Sequence, residues 1–135
     1  MTLLGIATWT RAGNYASAET LWEDALTKNP NAWAAHSNLG AALLQAGRLD
    51  GAIEHCEQAL RIKPDIAETH YTLGQALFAQ GKVQEAVAHW EQTIQIKPDY
   101  VEAYNNLGNV LLSAGRVDDA IKQYQEAVRL SPEYS

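Results

Sequence analysis

Four histidines, one cysteine and an acidic doublet are the residues with chemistry to offer in this 135-residue chain. Their spacing speaks against catalysis. His36 and His70 stand 34 residues apart, as do His55 and His89, so they read as copies within a repeated pattern and not as a ligand set. Packed helices lie about 8 to 10 Å apart, whereas a shared metal needs ring nitrogens about 2 Å from it. Packing or surface histidines are expected, and no metal. Cys56 adjoins His55, but neighbours on a helix point to different faces, and the same period places Cys56 where Trp22, Trp90 and Tyr124 stand elsewhere. It is expected to be a small core filler. Asp118-Asp119 reads as a helix start. With no nucleophile beside a base, no phosphate-cradling glycine loop and no convergent carboxylate pair, no enzyme and no cofactor are expected.

The elements that hold these residues follow from hydrophobic periodicity. His70, Leu73, Gly74 and Leu77 fall at i, i+3, i+4 and i+7, and Val83, Ala86, Val87, Trp90 and Ile94 mark a second stripe of the same period. Gln80-Gly81-Lys82 breaks between them. Ile96-Lys97-Pro98-Asp99 closes the second helix, since proline cannot continue the hydrogen-bond ladder and restricts the residue before it. The unit from Ala67 to Tyr100 is therefore a helical hairpin. Prolines stand at 30, 64, 98 and 132 and nowhere else, at a constant interval of 34 residues. Gly47, Gly81 and Gly115 keep that interval, as do Leu39, Leu73 and Leu107, the following Gly40, Gly74 and Gly108, and Ala18, Ala52, Ala86 and Ala120. Asp50, Gln84 and Asp118 begin the second helices, and Asn31, Asp65 and Asp99 precede the first ones, where such side chains can cap free amides and complement the dipole.

This sequence resembles the tetratricopeptide repeat family, whose 34-residue pattern has a large residue, Leu-Gly, a second large residue, then Ala, an aromatic, Ala and Pro. The resemblance implies an all-α right-handed solenoid of about three and a half hairpins. In the family register one domain covers 1-135, with a partial, degenerate repeat at 1-32 and complete repeats at 33-66, 67-100 and 101-134. In the partial repeat Gly5 and Ile6 stand where the other copies have Leu-Gly. About three repeats are needed before such an array buries enough apolar surface to be stable.

Composition agrees with a soluble helical array: 47% hydrophobic, 19% charged and a net charge of −6. A cytoplasmic location is expected, or a soluble domain of a membrane protein. An acidic chain without a basic run argues against nucleic acid, which requires clustered Lys and Arg. Met1 to Thr10 is uncharged but far short of the roughly 20 apolar residues of a span, and it lacks the basic start of a secretory signal. Together with Thr20-Leu21-Trp22-Glu23-Asp24, it is similar to the junction between the last span and C-terminal repeats of some multi-span membrane glycosyltransferases. That similarity implies the alternative of a regulatory or substrate-recruiting tail of such an enzyme.

The family register also implies a binding surface. The second, fifth, sixth, ninth, twelfth and thirteenth positions of each first helix line a concave groove. Carried over, these are Ala34, Ser37, Asn38, Ala41, Leu44 and Gln45; then Glu68, Tyr71, Thr72, Gln75, Phe78 and Ala79; then Glu102, Asn105, Asn106, Asn109, Leu112 and Ser113. None is basic, so the cationic clamp that grips a partner's terminal carboxylates is absent. The groove is similar to that of the O-linked N-acetylglucosamine transferase family, where asparagines at the sixth position hold an extended peptide backbone. Asn38 and Asn106 match that ladder and Thr72 interrupts it. A primary amide can pair with both carbonyl and amide of a passing peptide; equally, both asparagines can bond within the protein. Leu44, Phe78 and Leu112 form an apolar stripe beside them.

The expected function is a non-catalytic scaffold that binds a protein or peptide partner. Self-assembly is a further alternative. After Pro132 only Glu133, Tyr134 and Ser135 follow, so Ile121, Tyr124, Val128 and Leu130 are expected to be uncovered. Leu3, Leu4, Ile6 and Trp9 have no preceding repeat to pack on. A homodimer through these ends is the expectation.

Overall fold

The computed structural model describes residues 18-132. Within them all regular structure is helical apart from one 3₁₀ residue. Residues 18-28 form α1. It is followed by α2 (Trp33–Gln45), α3 (Leu49–Ile62), α4 (Ala67–Ala79), α5 (Val83–Ile96), α6 (Val101–Ser113) and α7 (Val117–Leu130). The packing groups residues up to Pro64 into one compact unit and those from Asp65 onward into another. In the first unit α2 packs on α3; in the second α4 packs on α5, α5 on α6, and α6 on α7.

Each hairpin turn is built the same way. Gly47, Gly81 and Gly115 have φ of 77°, 83° and 78°, the left-handed region that an L side chain resists. That conformation lets Gly47 N–H donate to Leu44 O and Arg48 N–H to Leu43 O, and the pattern repeats at Gly81 with Lys82 and at Gly115 with Arg116. These paired bonds satisfy carbonyls that a helix end otherwise leaves bare. The chain reverses within a few residues, and the second helix starts beside the first.

The helices then approach closely because a glycine on one faces a bulky group on the other. A Cβ on Gly40 would come within 2.6 Å of Cys56 Sγ, one on Gly74 within 2.5 Å of the Trp90 indole, and one on Gly108 within 2.6 Å of the Tyr124 ring. Leu39, Leu73 and Leu107, each next to its glycine, are buried, and full burial of one such side chain stabilises by about 1.5 to 3 kcal/mol. Ala52, Ala86 and Ala120 fill the matching slots on the second helices.

The capping expectation is corrected. The N-cap residues are Ala32, Arg48, Ile66, Lys82, Tyr100 and Arg116, and none caps its helix through its side chain. Asp50, Asp118 and Asp119 lie instead within the first turn, where a carboxylate complements the positive end of the helix dipole. The side chain of Asn29, one position earlier in its loop than Pro30, accepts from Asn31 N–H at 3.2 Å. No described helix is long and apolar enough to cross a membrane.

Candidate functional site: the groove face of the first helices

The faces assigned to binding lie on α2 in the first unit and on α4 and α6 in the second. On α2, Ser37 and Leu44 are half-buried and Asn38 is exposed. On α4, Tyr71, Thr72 and Gln75 are half-buried while Phe78 is 47% exposed. On α6, Asn105 and Asn106 are half-buried, Asn109 is exposed, and Leu112 is 50% exposed. Phe78 and Leu112 therefore leave about half of their surface to solvent at equivalent positions of neighbouring hairpins, and exposed apolar groups of this size mark contact surfaces when they cluster.

Tyr71 is the hub of this face in the second unit. Its hydroxyl oxygen accepts from Asn106 Nδ2 at 3.2 Å and from Gln75 Nε2 at 3.3 Å. Its ring lies 5.0 Å from that of Tyr100, tilted by 41°, and its backbone carbonyl accepts from Trp90 Nε1 at 3.3 Å. The helix carrying Asn106 is thus keyed to the one carrying Tyr71. One amide hydrogen of Asn106 is engaged, and a primary amide has a second hydrogen and an acceptor oxygen besides. Thr72 Oγ1 donates to the Glu68 carbonyl at 2.9 Å, so its hydroxyl hydrogen is engaged within its own helix. Asn109 Oδ1 accepts from the Tyr124 hydroxyl, so this residue ties the groove face to the second helix of its hairpin.

Electrostatically the face is acidic. Burial, then Glu68, Glu102 and Tyr71 in that order, push the Tyr100 hydroxyl up to about 12. The Lys97 ammonium sits 5.6 Å from the centre of the Tyr100 ring, and in the first unit Lys63 lies 4.5 Å from that of Trp33. Rings that attract a cation in this way offer a modest stabilisation where exposed. Phe78, on the groove face of α4, meets the buried Trp90 of α5 with ring centroids 5.7 Å apart.

Of the residues with catalytic potential, Cys56, His36 and His70 are buried, His55, His89 and Asp119 are half-buried, and Asp118 is exposed. Cys56 is fully buried, and burial followed by Glu57 pushes its thiol up to about 12, which keeps the nucleophilic thiolate form scarce. The histidines that meet are not the 34-residue copies but the two within one hairpin. His36 Nδ1 lies 3.1 Å from His55 Nδ1, and His70 Nδ1 lies 3.0 Å from His89 Nδ1. The partners are 19 residues apart, one on each helix of a hairpin. Among the described residues no three metal-ligating side chains converge.

At the far end, Ile121 is 45% and Val128 39% exposed, and both line a shallow depression of about 410 Å³ with Tyr124, Gln125 and Arg129. Tyr124 and Leu130 are half-buried. Leu3, Leu4, Ile6 and Trp9 lie outside the described residues.

Repeated hairpins with a glycine-for-bulk contact define the class, and comparison supplies the family. Tetratricopeptide repeat models match residues 11–65 and 71–135, and a second such model matches residues 43–88. The chain belongs to the tetratricopeptide repeat family. Comparison with curated proteins finds no match. Among solved structures, a crystal structure of MamA superposes with a TM-score of 0.82 at 27% identity, covering 93% of this chain and 73% of the other. A second MamA crystal structure gives 0.79 at 24% identity, covering 94% and 69%. MamA 41-end from Desulfovibrio magneticus RS-1 gives 0.80 at 20% identity, covering 93% and 71%, and at that identity it speaks to the fold alone. The likenesses to O-linked N-acetylglucosamine transferase repeats and to membrane glycosyltransferases rest on the sequence residues only.

Proposed function

We propose that this chain is a non-catalytic scaffold whose first helices hold an extended segment of a partner protein. The observation that carries the reading is the pairing of two half-exposed apolar side chains, Phe78 and Leu112, with amides on the same face of α4 and α6. An extended backbone needs both donors and acceptors along its length, and Asn105, Asn106 and Asn109 provide both. The bond from Asn106 to Tyr71 supports this by fixing the amide's direction before a ligand arrives, which lowers the ordering cost of binding. Asn38 is the corresponding amide of the first unit. The non-catalytic part of the reading is supported by the buried thiol of Cys56 and by the Nδ1 atoms of the histidines, which engage each other in pairs. Selection of peptides from a random display library against the isolated chain tests the idea: Asn38→Ala with Asn106→Ala should weaken the selected peptides, while helicity stays at the parent value.

A second reading is favoured by a separate observation. The α7 face bearing Ile121, Tyr124 and Val128 corresponds by the 34-residue period to the α5 face bearing Val87, Trp90 and Ile94. On α5, Trp90 is only 2% exposed and α6 packs against that helix, whereas Ile121 and Val128 stay open on α7. A second copy that presents the same face would cover both patches by an isologous contact. Sedimentation across a concentration series tests it, with Ile121→Lys as the variant expected to be monomeric.

A further inference from the structure

The two histidine pairs have no counterpart in the last hairpin, and the comparison shows what they add. The 34-residue period carries His36 and His70 onto Tyr104, and His55 and His89 onto Gln123. Tyr104 Oη donates to the Pro98 carbonyl at 2.8 Å, and His36 Nε2 contacts the equivalent carbonyl of Pro30 at 2.9 Å. A carbonyl oxygen only accepts, so His36 Nε2 carries a hydrogen. In a neutral ring the other nitrogen, Nδ1, is then an acceptor. It follows that the hydrogen shared across the 3.1 Å gap sits on His55 Nδ1 and is donated to His36 Nδ1. The tether to the proline carbonyl is met equally well by tyrosine. What histidine adds is the bond across to the second helix.

That bond tolerates one added proton and no more. The first, from solvent, goes to Nε2 of His55, and the Nδ1–H···Nδ1 bond survives. A second must go to Nδ1 of His36, where it would set two N–H groups face to face at a separation that accommodates one hydrogen. The helices must then part. His70 and His89 meet at 3.0 Å with ring centroids 5.3 Å apart, close to the 5.4 Å of the first pair, so the same limit applies there. His36 and His70 are buried and His55 and His89 half-buried.

We propose that the paired imidazoles make the α2/α3 and α4/α5 hairpins selectively acid-labile, a proton-operated release that the α6/α7 hairpin, with Tyr104 and Gln123, lacks. The charged surroundings agree. Burial first, then His36, lower the affinity of His55 for a proton, opposed by Glu54 on its own helix and Glu23 on α1; burial and His70 lower that of His89, opposed by Glu85. For both, the folded value lies below the ordinary 6.5. The unfolded chain therefore binds more protons in mild acid, and stability is complete above about pH 6.5 and is lost as pH falls through the folded values. The release would loosen the helices bearing Asn38 and Tyr71 while α6/α7 keeps its own contacts, and the inference stands whether or not the groove reading does.

The experiment compares the full chain with a variant that imports the last hairpin's own solution, His36→Tyr and His55→Gln with His70→Tyr and His89→Gln. Amide hydrogen exchange between pH 7.5 and 5.5, corrected for intrinsic rate, should show protection in α2 to α5 of the parent falling several-fold more than in α6 and α7. In the variant the excess should vanish. Nitrogen NMR of the imidazoles at pH 7.5 should find the hydrogen of His36 on Nε2 and that of His55 on Nδ1, a readout that needs only the parent. Equal loss of protection in all three hairpins, or a His55 ring protonated on Nε2 alone at neutral pH, would overturn the proposal.

Discussion

Gly74 stands so close to Trp90 that a Cβ added to it would come within 2.5 Å of indole Nε1 and 2.7 Å of Cδ1. The indole is held there by its bond to the Tyr71 carbonyl, so it cannot swing aside without losing a partner for a buried N–H. Gly74→Ala is expected to destabilise by about 1 to 3 kcal/mol, the usual range for overpacking. Gly40→Ala meets Cys56 Sγ at 2.6 Å and the backbone of Ala52 and Cys56 at 3.3 Å; one sulfur has to shift in place of a bonded ring, and the change is expected to cost less. Urea midpoints of the two variants check the order.

Trp90→Ala and Phe78→Ala separate the interior from the groove face. Both are large aromatics in ring contact, but Trp90 is buried and Phe78 is half exposed. Truncating Trp90 should cost about 3 to 5 kcal/mol, with Phe78→Ala well below that. Equal shifts in urea midpoint would place Phe78 in the core.

The interior place of Trp90 and the exposure of Phe78 were readable from the sequence because repetition puts equivalent residues in equivalent places. Leu73 and Gly74 recur unchanged at their period, and Trp90 shares its slot with Trp22, Cys56 and Tyr124, which marks it as a core position. Cys56 could be assigned to the interior for the same reason. Other features were hidden by that regularity. Period reading pairs His36 with His70, since they are copies, whereas the bond runs from His36 to His55 across the turn; the one available signal was that both pairs share a separation of 19. The Tyr71 hydroxyl's role was equally unreadable, because its donor Asn106 is 35 residues away on the next hairpin. The caps misled because Asp50 and Asp118 have the right chemistry two residues too late: Arg48 and Arg116 hold the cap positions.

Alkaline pH should weaken the second unit through Tyr100. Burial, with Glu68 and Glu102 nearby, pushes its hydroxyl to about 12 in the folded chain, against 10 ordinarily. The unfolded chain loses this proton first. Its contribution to stability is therefore intact below pH 10 and declines from there to about 12. Tyr100→Phe should flatten the decline, and an ultraviolet difference titration of parent against variant should show the missing hydroxyl ionising late.

Cys56 should be inert to alkylating reagents in the native state, since its sulfur is fully buried and its thiolate form suppressed at neutral pH. Labelling in urea and in buffer, read by mass spectrometry, should differ by orders of magnitude. Labelling at the denatured rate in buffer would show that the contact between Gly40 and Cys56 opens freely.

The central claim is that the groove face of the first helices holds an extended partner segment, and its most direct test is calorimetric binding of library-selected peptides to a small variant set. Affinity should fall when Asn106→Ala removes the tethered amide, by about 0.5 to 1.5 kcal/mol for that contact. It should fall again when Leu112→Ser removes the exposed apolar group beside it, and should stay at the parent value for Gln92→Ala, an exposed position on the second helix α5. Peptides that bind Asn106→Ala and Leu112→Ser as tightly as the parent, yet lose affinity to Gln92→Ala, would contradict the account.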